Sequence, residues 1–238
     1  MKSKSSQSLI SQVLSPALKL WLATQVEEIA KLQINISGSN RQIIGGYIPR
    51  VSLKCDRAIY QGLHLSQAEL QGENIRINIG QVIKGKPLQL LEPIVVTGKV
   101  LLEEKDLQAS LSANLLSAAL ANLLPLFIAA SQEQSSKKLW KDKRLNWQEI
   151  KIDAGKLTLR GTCQDAEAKE MPISLCTGLD LTSPHELSLS PISIETPELD
   201  CISINNYKVD LGEQVHLEEL KVTPGQVFCR GSLTVISD

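Results

Sequence analysis

Aromatic side chains are scarce: three Trp, three Tyr and two Phe make up 3% of the 238 residues. An interior with so few rigid rings has to be filled by Leu, Ile, Val and Ala. That gives smooth aliphatic walls rather than the stacking platforms that bases and nucleotides need. An excess of positive charge is missing as well. Twenty-five Lys and Arg stand against 26 Asp and Glu for a net charge of -1, so the whole molecule has no electrostatic footprint for nucleic acid, and no nucleic-acid partner is expected. Paired cysteine motifs are absent too. Cys55, Cys163, Cys176, Cys201 and Cys229 are odd in number and never form Cys-x-x-Cys, the spacing that zinc and redox chemistry use. They are expected to be reduced thiols, mostly buried, in a reducing compartment.

Long hydrophobic runs are also lacking. No stretch reaches the roughly 18 apolar residues of a spanning helix. Residues 1–14 are rich in Ser and Gln with no continuous apolar segment, so no secretory signal is expected. The expected location is cytoplasmic, at most peripheral on a membrane.

Catalytic constellations are missing in the same way. His64, His185 and His216 stand apart, with no nucleophile elbow around any Ser or Cys. His64, in Gly62-Leu63-His64-Leu65, reads as a solvated residue on the polar face of a strand. Residues 80–86 superficially resemble a phosphate-binding loop, but the glycine spacing is wrong and Pro87 stands where Ser or Thr is required. Glu103, Glu104 and Asp106, and the pair Glu218-Glu219, have no His or Cys at ligand spacing. Helix-dipole complementation and solvated strand faces account for them. No catalytic residue, metal or cofactor is expected, and the protein is not expected to be an enzyme.

What the chain does have is 42% hydrophobic residues, enough at this length to bury the core of one domain spanning residues 1–238. Apolar positions from Leu9 through Leu18, Trp21, Leu22, Val26 and Ile29 recur at spacings of three and four, predicting a helix over about residues 9–32. Ser15-Pro16 suits a capped first turn within it. The period then becomes two: Leu32-Ile34-Ile36, Val51-Leu53-Cys55, Ile75-Ile77-Ile79 and Ile94-Val96 predict strands over about 32–100. A second helix is predicted over about 103–131, acidic at its start and almost wholly apolar over residues 115–130. Alternation returns over about 146–236, in Ile150-Ile152, Leu157-Leu159, Ile202-Ile204, Val209-Leu211, Leu220-Val222 and Leu233-Val235. Gly45-Gly46, Gly85-Lys86-Pro87, Ala154-Gly155 and Pro224-Gly225 punctuate the strands as turns.

Residues 146–162 align without gaps to residues 216–232, sharing Glu149/Glu219, Lys151/Lys221, Gly155/Gly225, Arg160/Arg230 and Gly161/Gly231. Each copy reads as strand, turn, strand. Two similar hairpins in one sheet system, an old duplication, and a chance match between amphipathic hairpins all fit.

Two features carry a binding chemistry. The apolar run of residues 115–130 is either a covered core helix or one wall of a groove. The run Lys137, Lys138, Trp140, Lys141, Lys143 and Arg144, near Trp147, is either a solvated loop or a membrane-docking element, with Trp at headgroup level and cations on anionic lipid.

At Arg41-Gln42-Ile43-Ile44-Gly45-Gly46-Tyr47-Ile48-Pro49, Tyr60-Gln61-Gly62-Leu63-His64-Leu65-Ser66, Gly72-Glu73-Asn74-Ile75-Arg76-Ile77-Asn78 and Gly85-Lys86-Pro87-Leu88 the chain resembles the LmeA-like phospholipid-binding family. That family is common in cyanobacteria and actinobacteria. The resemblance implies a fold similar to the tubular lipid-binding superfamily, in which a long helix lies in a strongly curved antiparallel sheet and lipid fills the gap. The expectation is therefore an α+β fold with long amphipathic helices packed against a strongly curved, mostly antiparallel β-sheet enclosing an apolar groove. Leu18, Trp21 and Leu22 of the first helix and Leu111, Leu115, Leu116, Leu120, Leu123, Leu124, Phe127 and Ile128 of the second are expected to touch lipid. The expected function is non-enzymatic phospholipid or glycolipid binding or transfer at an anionic membrane surface. The alternative is a membrane-associated scaffold or assembly factor that docks protein on the apolar helix. An enzyme acting on headgroups, using His64, Glu73 and Arg76, is the least favoured reading.

Overall fold

The computed structural model describes residues 14–130, 144–164, 169–197 and 199–236. The elements run α1 (Ser15–Gln25), β1 (Glu28–Ser37), α2 (Asn40–Ile44), β2 (Tyr47–Tyr60), β3 (Leu63–Arg76), α3 (Ile79–Val82), β4 (Ile94–Glu103), α4 (Glu104–Ser110) and α5 (Asn114–Ala130). From Arg144 onward the described elements are strands: β5 (Arg144–Asp153), β6 (Lys156–Gln164), β7 (Glu170–Ser183), β8 (Glu186–Thr196), β9 (Leu199–Ile204), β10 (Tyr207–Asp210), β11 (Val215–Thr223) and β12 (Gln226–Val235).

The strands form two antiparallel sheets. The first has the order β1-β2-β3-β4-β12-β11, so the last hairpin of the chain completes the sheet that its first strands begin. The second has the order β10-β8-β7-β6-β5, with β9 also paired to β8. In the β2–β3 hairpin Gln61 and Gly62 both have positive φ, as a two-residue turn matching the strand twist requires. In the β11–β12 hairpin Pro224 fixes the first turn position and Gly225 supplies the positive φ of the second.

The expected α+β fold with long amphipathic helices is corrected here. Strand makes up 62% of the structure and helix 19%, with five short helices among the described residues, and neither sheet closes. The helix predicted over 9–32 ends at Gln25, and Glu28 already starts β1. A bulge explains the misleading periodicity. Lys31 has φ of 48° and the β1–β2 register slips between Ala30 and Gln33. Ile29 and Leu32, three residues apart, therefore pack on the same cluster as Val26, and a bulged strand mimics a helical stripe. The helix predicted over 103–131 is two helices that meet at 87°. The tip of the β2–β3 hairpin fits against the corner: a Cβ on Gly62 would lie 2.7 Å from that of Ala113.

Helix α4 bolts the two sheets together. Ser66 of β3 donates to the Asp106 carboxylate and accepts from the Glu103 N–H at 3.0 Å, while the His64 N–H donates to Ser110 Oγ at 2.8 Å. On the other side Ile152 N–H donates to Glu104 Oε2 at 2.7 Å and Ile150 N–H to Gln108 Oε1 at 2.9 Å. Glu104 and Asp106, expected to complement a helix dipole, thus bridge strands of both sheets. His64 is half-buried rather than fully solvated.

The two similar hairpins lie in different sheets and face each other. Gly155 N–H donates to Val222 O at 3.0 Å, and Gly225 N–H donates to Ile152 O at 2.9 Å. Each bond is the other's counterpart in the alignment, so the contact is reciprocal, as at an isologous interface. The bulges correspond as well, between Trp147 and Glu149 and between Leu217 and Glu219. A Cβ on Gly161 would collide with the carbonyl oxygen of Asn146, and one on Gly231 with that of His216. The shared glycines are therefore a steric requirement of the bulge.

Candidate functional site

The dry face of the first sheet is covered in parts. At one end Leu14, just before α1, and Leu18 within it, with Ile43, Ile79, Val82 and Leu88, bury Ile48, Val51, Ile75, Ile77 and Ile94. At the other end Leu63, Leu102 and Val227 join the core of the second sheet. Between them lies a partly open cavity of about 550 Å³. Its wall is built by Leu53 of β2, Leu70 and Gly72 of β3, Val96, Gly98 and Val100 of β4, Cys229, Gly231, Leu233 and Val235 of β12, and Val215 and Leu217 of β11. Leu14, Leu18 and Val26 border it on the helix side, Leu88 and Leu90 at the buried end, and Tyr60 at the opposite end. Among the described residues no charged side chain lines it.

Glycine deepens this hollow. Gly98 and Gly231 lie directly opposite each other on β4 and β12, so two neighbouring positions put no side chain on the dry face. In the second sheet the corresponding Gly161 stands opposite Ile173, which is buried in a filled core. Leu70 leans over the gap, its Cδ2 2.6 Å from where a Gly98 Cβ would be. Burial pushes the Cys229 thiol above its ordinary range, as an apolar wall does to an ionisable group.

The residues expected to touch lipid are divided by this geometry. Leu18 lines the cavity. Leu111 and Phe127 are buried in the core of the second sheet, with Leu116, Leu120 and Leu123 packed against it. Phe127 meets the Tyr207 ring edge-on, with centroids 5.0 Å apart. Leu115 is 41% exposed on the outer face of α5. Trp21, Leu22, Leu124 and Ile128 lie on α1 and α5, with side chains outside the described set. Among the described residues none from α5 borders the cavity. The glycines, and the β11–β12 residues that return from the far end of the chain, were missed by sequence reasoning. The repeated Gly161/Gly231 was the one signal that pointed to them.

Of the expected membrane-docking residues, Lys137, Lys138, Trp140, Lys141 and Lys143 lie outside the described residues, and Arg144 begins β5. Trp147 packs on the second-sheet core. His64, Glu73 and Arg76 do not converge. His64 and Arg76 are separated by most of the length of β3, about 40 Å at the rise of an extended strand. Glu73 is paired with Arg50 at 2.8 Å, and Arg76 lies over the Tyr47 ring at 4.8 Å. Among the described residues no three of His, Cys, Asp and Glu are placed to hold a metal. All five cysteines are unbridged: Cys55 and Cys163 are buried, Cys176 and Cys229 half-buried, and Cys201 exposed.

An uncharged aliphatic hollow on one face of an antiparallel sheet matches the sequence comparison. The LmeA-like phospholipid-binding profile matches residues 6–232, nearly the whole chain. The chain belongs to that family. Membership of the LmeA-like family indicates lipid as the partner. No curated protein matches the chain, and no solved structure does. Among the described residues of this LmeA-like protein no single helix is long and apolar enough to cross a membrane.

Proposed function

We propose that this protein binds phospholipid without chemical conversion and carries it at a membrane surface, with acyl chains in the cavity of the first sheet. The carrying observation is that cavity: about 550 Å³, largely aliphatic, and free of charged groups among the described residues. Its size is in the range of about 300–1,000 Å³ typical of ligand pockets. Each Å² of apolar surface withdrawn from water contributes roughly 25 cal/mol, so one acyl chain against this face gains several kcal/mol. Leu233 at the rim is 46% exposed, so the hollow meets solvent along the β12 side, where a chain can enter and leave.

Mass spectrometry of an organic extract of the purified protein tests the proposal. Phospholipid in the extract, lost when Val96→Trp fills the hollow, is expected. Finding no lipid, and no uptake from vesicles, contradicts it. One observation favours a second reading, a scaffold docking protein on α5: Leu115 and Leu126 are both exposed on that helix. A stoichiometric protein partner lost in Leu126→Asp, with no lipid bound, would select it.

A further inference from the structure

The loop that closes the buried end of the cavity also presents a surface. Resting on the lipid-binding reading, we propose that the end of the first sheet formed by α2, α3 and the loop from α3 to β4 docks on an anionic phospholipid bilayer. The loop is two-sided. Leu88 and Leu90 line the cavity, whereas Ile83 and Leu91, at 56% and 59% exposure, face outward beside Ile44 at 55%. Arg41, Lys84 and Lys86 are exposed around them. Glu92 is the one acid in residues 39–46 and 77–93.

This combination of apolar tips and surplus cations suits a bilayer: the tips enter the headgroup layer and the cations meet anionic lipid. A protein surface that neutralised the cations would have to leave the apolar tips a dry pocket of its own. The loop is also pre-formed. Asn78, buried beneath it, donates to Pro87 O at 3.0 Å and accepts from the Gln89 N–H at 2.8 Å. Lys86 N–H donates to Gln81 O at 3.0 Å. The backbone that carries Lys84 and Lys86 is thus set before contact, and little backbone ordering entropy is lost on docking. Docking here puts the cavity wall of Leu88 and Leu90 directly behind the membrane contact.

Co-sedimentation of the full chain with phosphatidylcholine vesicles, with and without phosphatidylserine, tests this. The parent protein is expected to pellet with the phosphatidylserine vesicles, less so at high salt. The triple variant Ile83→Asp, Lys84→Glu, Lys86→Glu is expected to lose on the order of tenfold or more in partitioning. It should still load phosphatidylcholine dispersed in detergent, which reads the cavity and reports an intact fold. Equal pelleting of parent and variant overturns the proposal. So does a loss seen only on reversing Lys137 and Lys138, or retention by a soluble protein in place of vesicles. Loop-dependent pelleting by a parent that never loads dispersed lipid supports the docking surface and refutes the cavity reading separately.

Discussion

The second sheet is roofed by α5, and among the described residues the first is roofed at its ends alone. Over the second, Phe127, Ile152, Ile192 and Ile194 are almost fully excluded from solvent. Over the first, the equivalent middle zone is the hollow beside Gly98 and Gly231. The two faces share hairpins with the same bulge, the same required glycine and reciprocal hydrogen bonds. They differ in what stands opposite that glycine: Ile173 in the second sheet and Gly98 in the first. Equal backbone geometry thus yields a packed core in one place and a cavity in the other. Apolar surface left uncovered forgoes stabilisation, which a bound hydrocarbon chain restores.

Truncation separates the two faces most strongly. Phe127→Ala removes the plug of the filled core and is expected to cost about 3–5 kcal/mol in urea unfolding, whereas Leu70→Ala, beside space that is already empty, should cost under about 2 kcal/mol. Equal losses would mean that the hollow is packed in solution. Next come the paired glycines. Gly161→Ala and Gly231→Ala each force a Cβ against a backbone carbonyl, and each is expected to cost about 2–3 kcal/mol, the two agreeing within about 1 kcal/mol. A large difference would break the equivalence of the hairpins.

Making the first sheet like the second is a milder change. In Gly98→Ile the new Cβ meets mainly the movable end of Leu70, so stability should shift by less than about 2 kcal/mol while phospholipid uptake from vesicles falls at least severalfold. Unchanged uptake would place the lipid elsewhere.

The smallest effect is on the wet faces. Lys54 bonds Glu69 on the first sheet and holds its carboxyl below the ordinary value of 4.5, as Lys208 does for Glu186 on the second. A depressed folded pKa stabilises above the unfolded value and that gain disappears as pH falls through the lower folded one. Lys54→Met or Lys208→Met should therefore flatten the acid limb of a stability–pH curve slightly and to a similar degree, since both pairs are exposed.

Much of this was legible in the sequence. The alternation in Val51-Leu53-Cys55, Ile94-Val96, Ile150-Ile152 and Leu157-Leu159 falls on β2, β4, β5 and β6, and the turns at Ala154-Gly155 and Pro224-Gly225 are hairpins. Helix α1 lies within the segment of about 9–32 whose spacing of three and four predicted a helix, with Pro16 in its first turn. Bulges hid the bounds of other elements. The bulge at Lys31 made the start of β1, before Leu32, look helical, and the register slip near Gly178, with the shift of apolar parity from Leu187-Leu189 to Ile192-Ile194, left β7 and β8 without a named alternation inside the strand region of about 146–236. The aliphatic character of the site followed from the shortage of rings. Its location did not, because it depends on β12 pairing with β4 across more than half the chain. No local pattern encodes which of two dry faces an apolar helix will cover.

Where hydrocarbon lies in the complex decides the central claim. A crystal structure of the protein loaded with phospholipid brominated on its acyl chains would locate the bromines by anomalous scattering. Peaks between α1 and the Gly98–Gly231 pair, along Leu70, Val96 and Leu217, are the predicted result. Peaks confined to the surface of α5, or none on the first sheet, would contradict it.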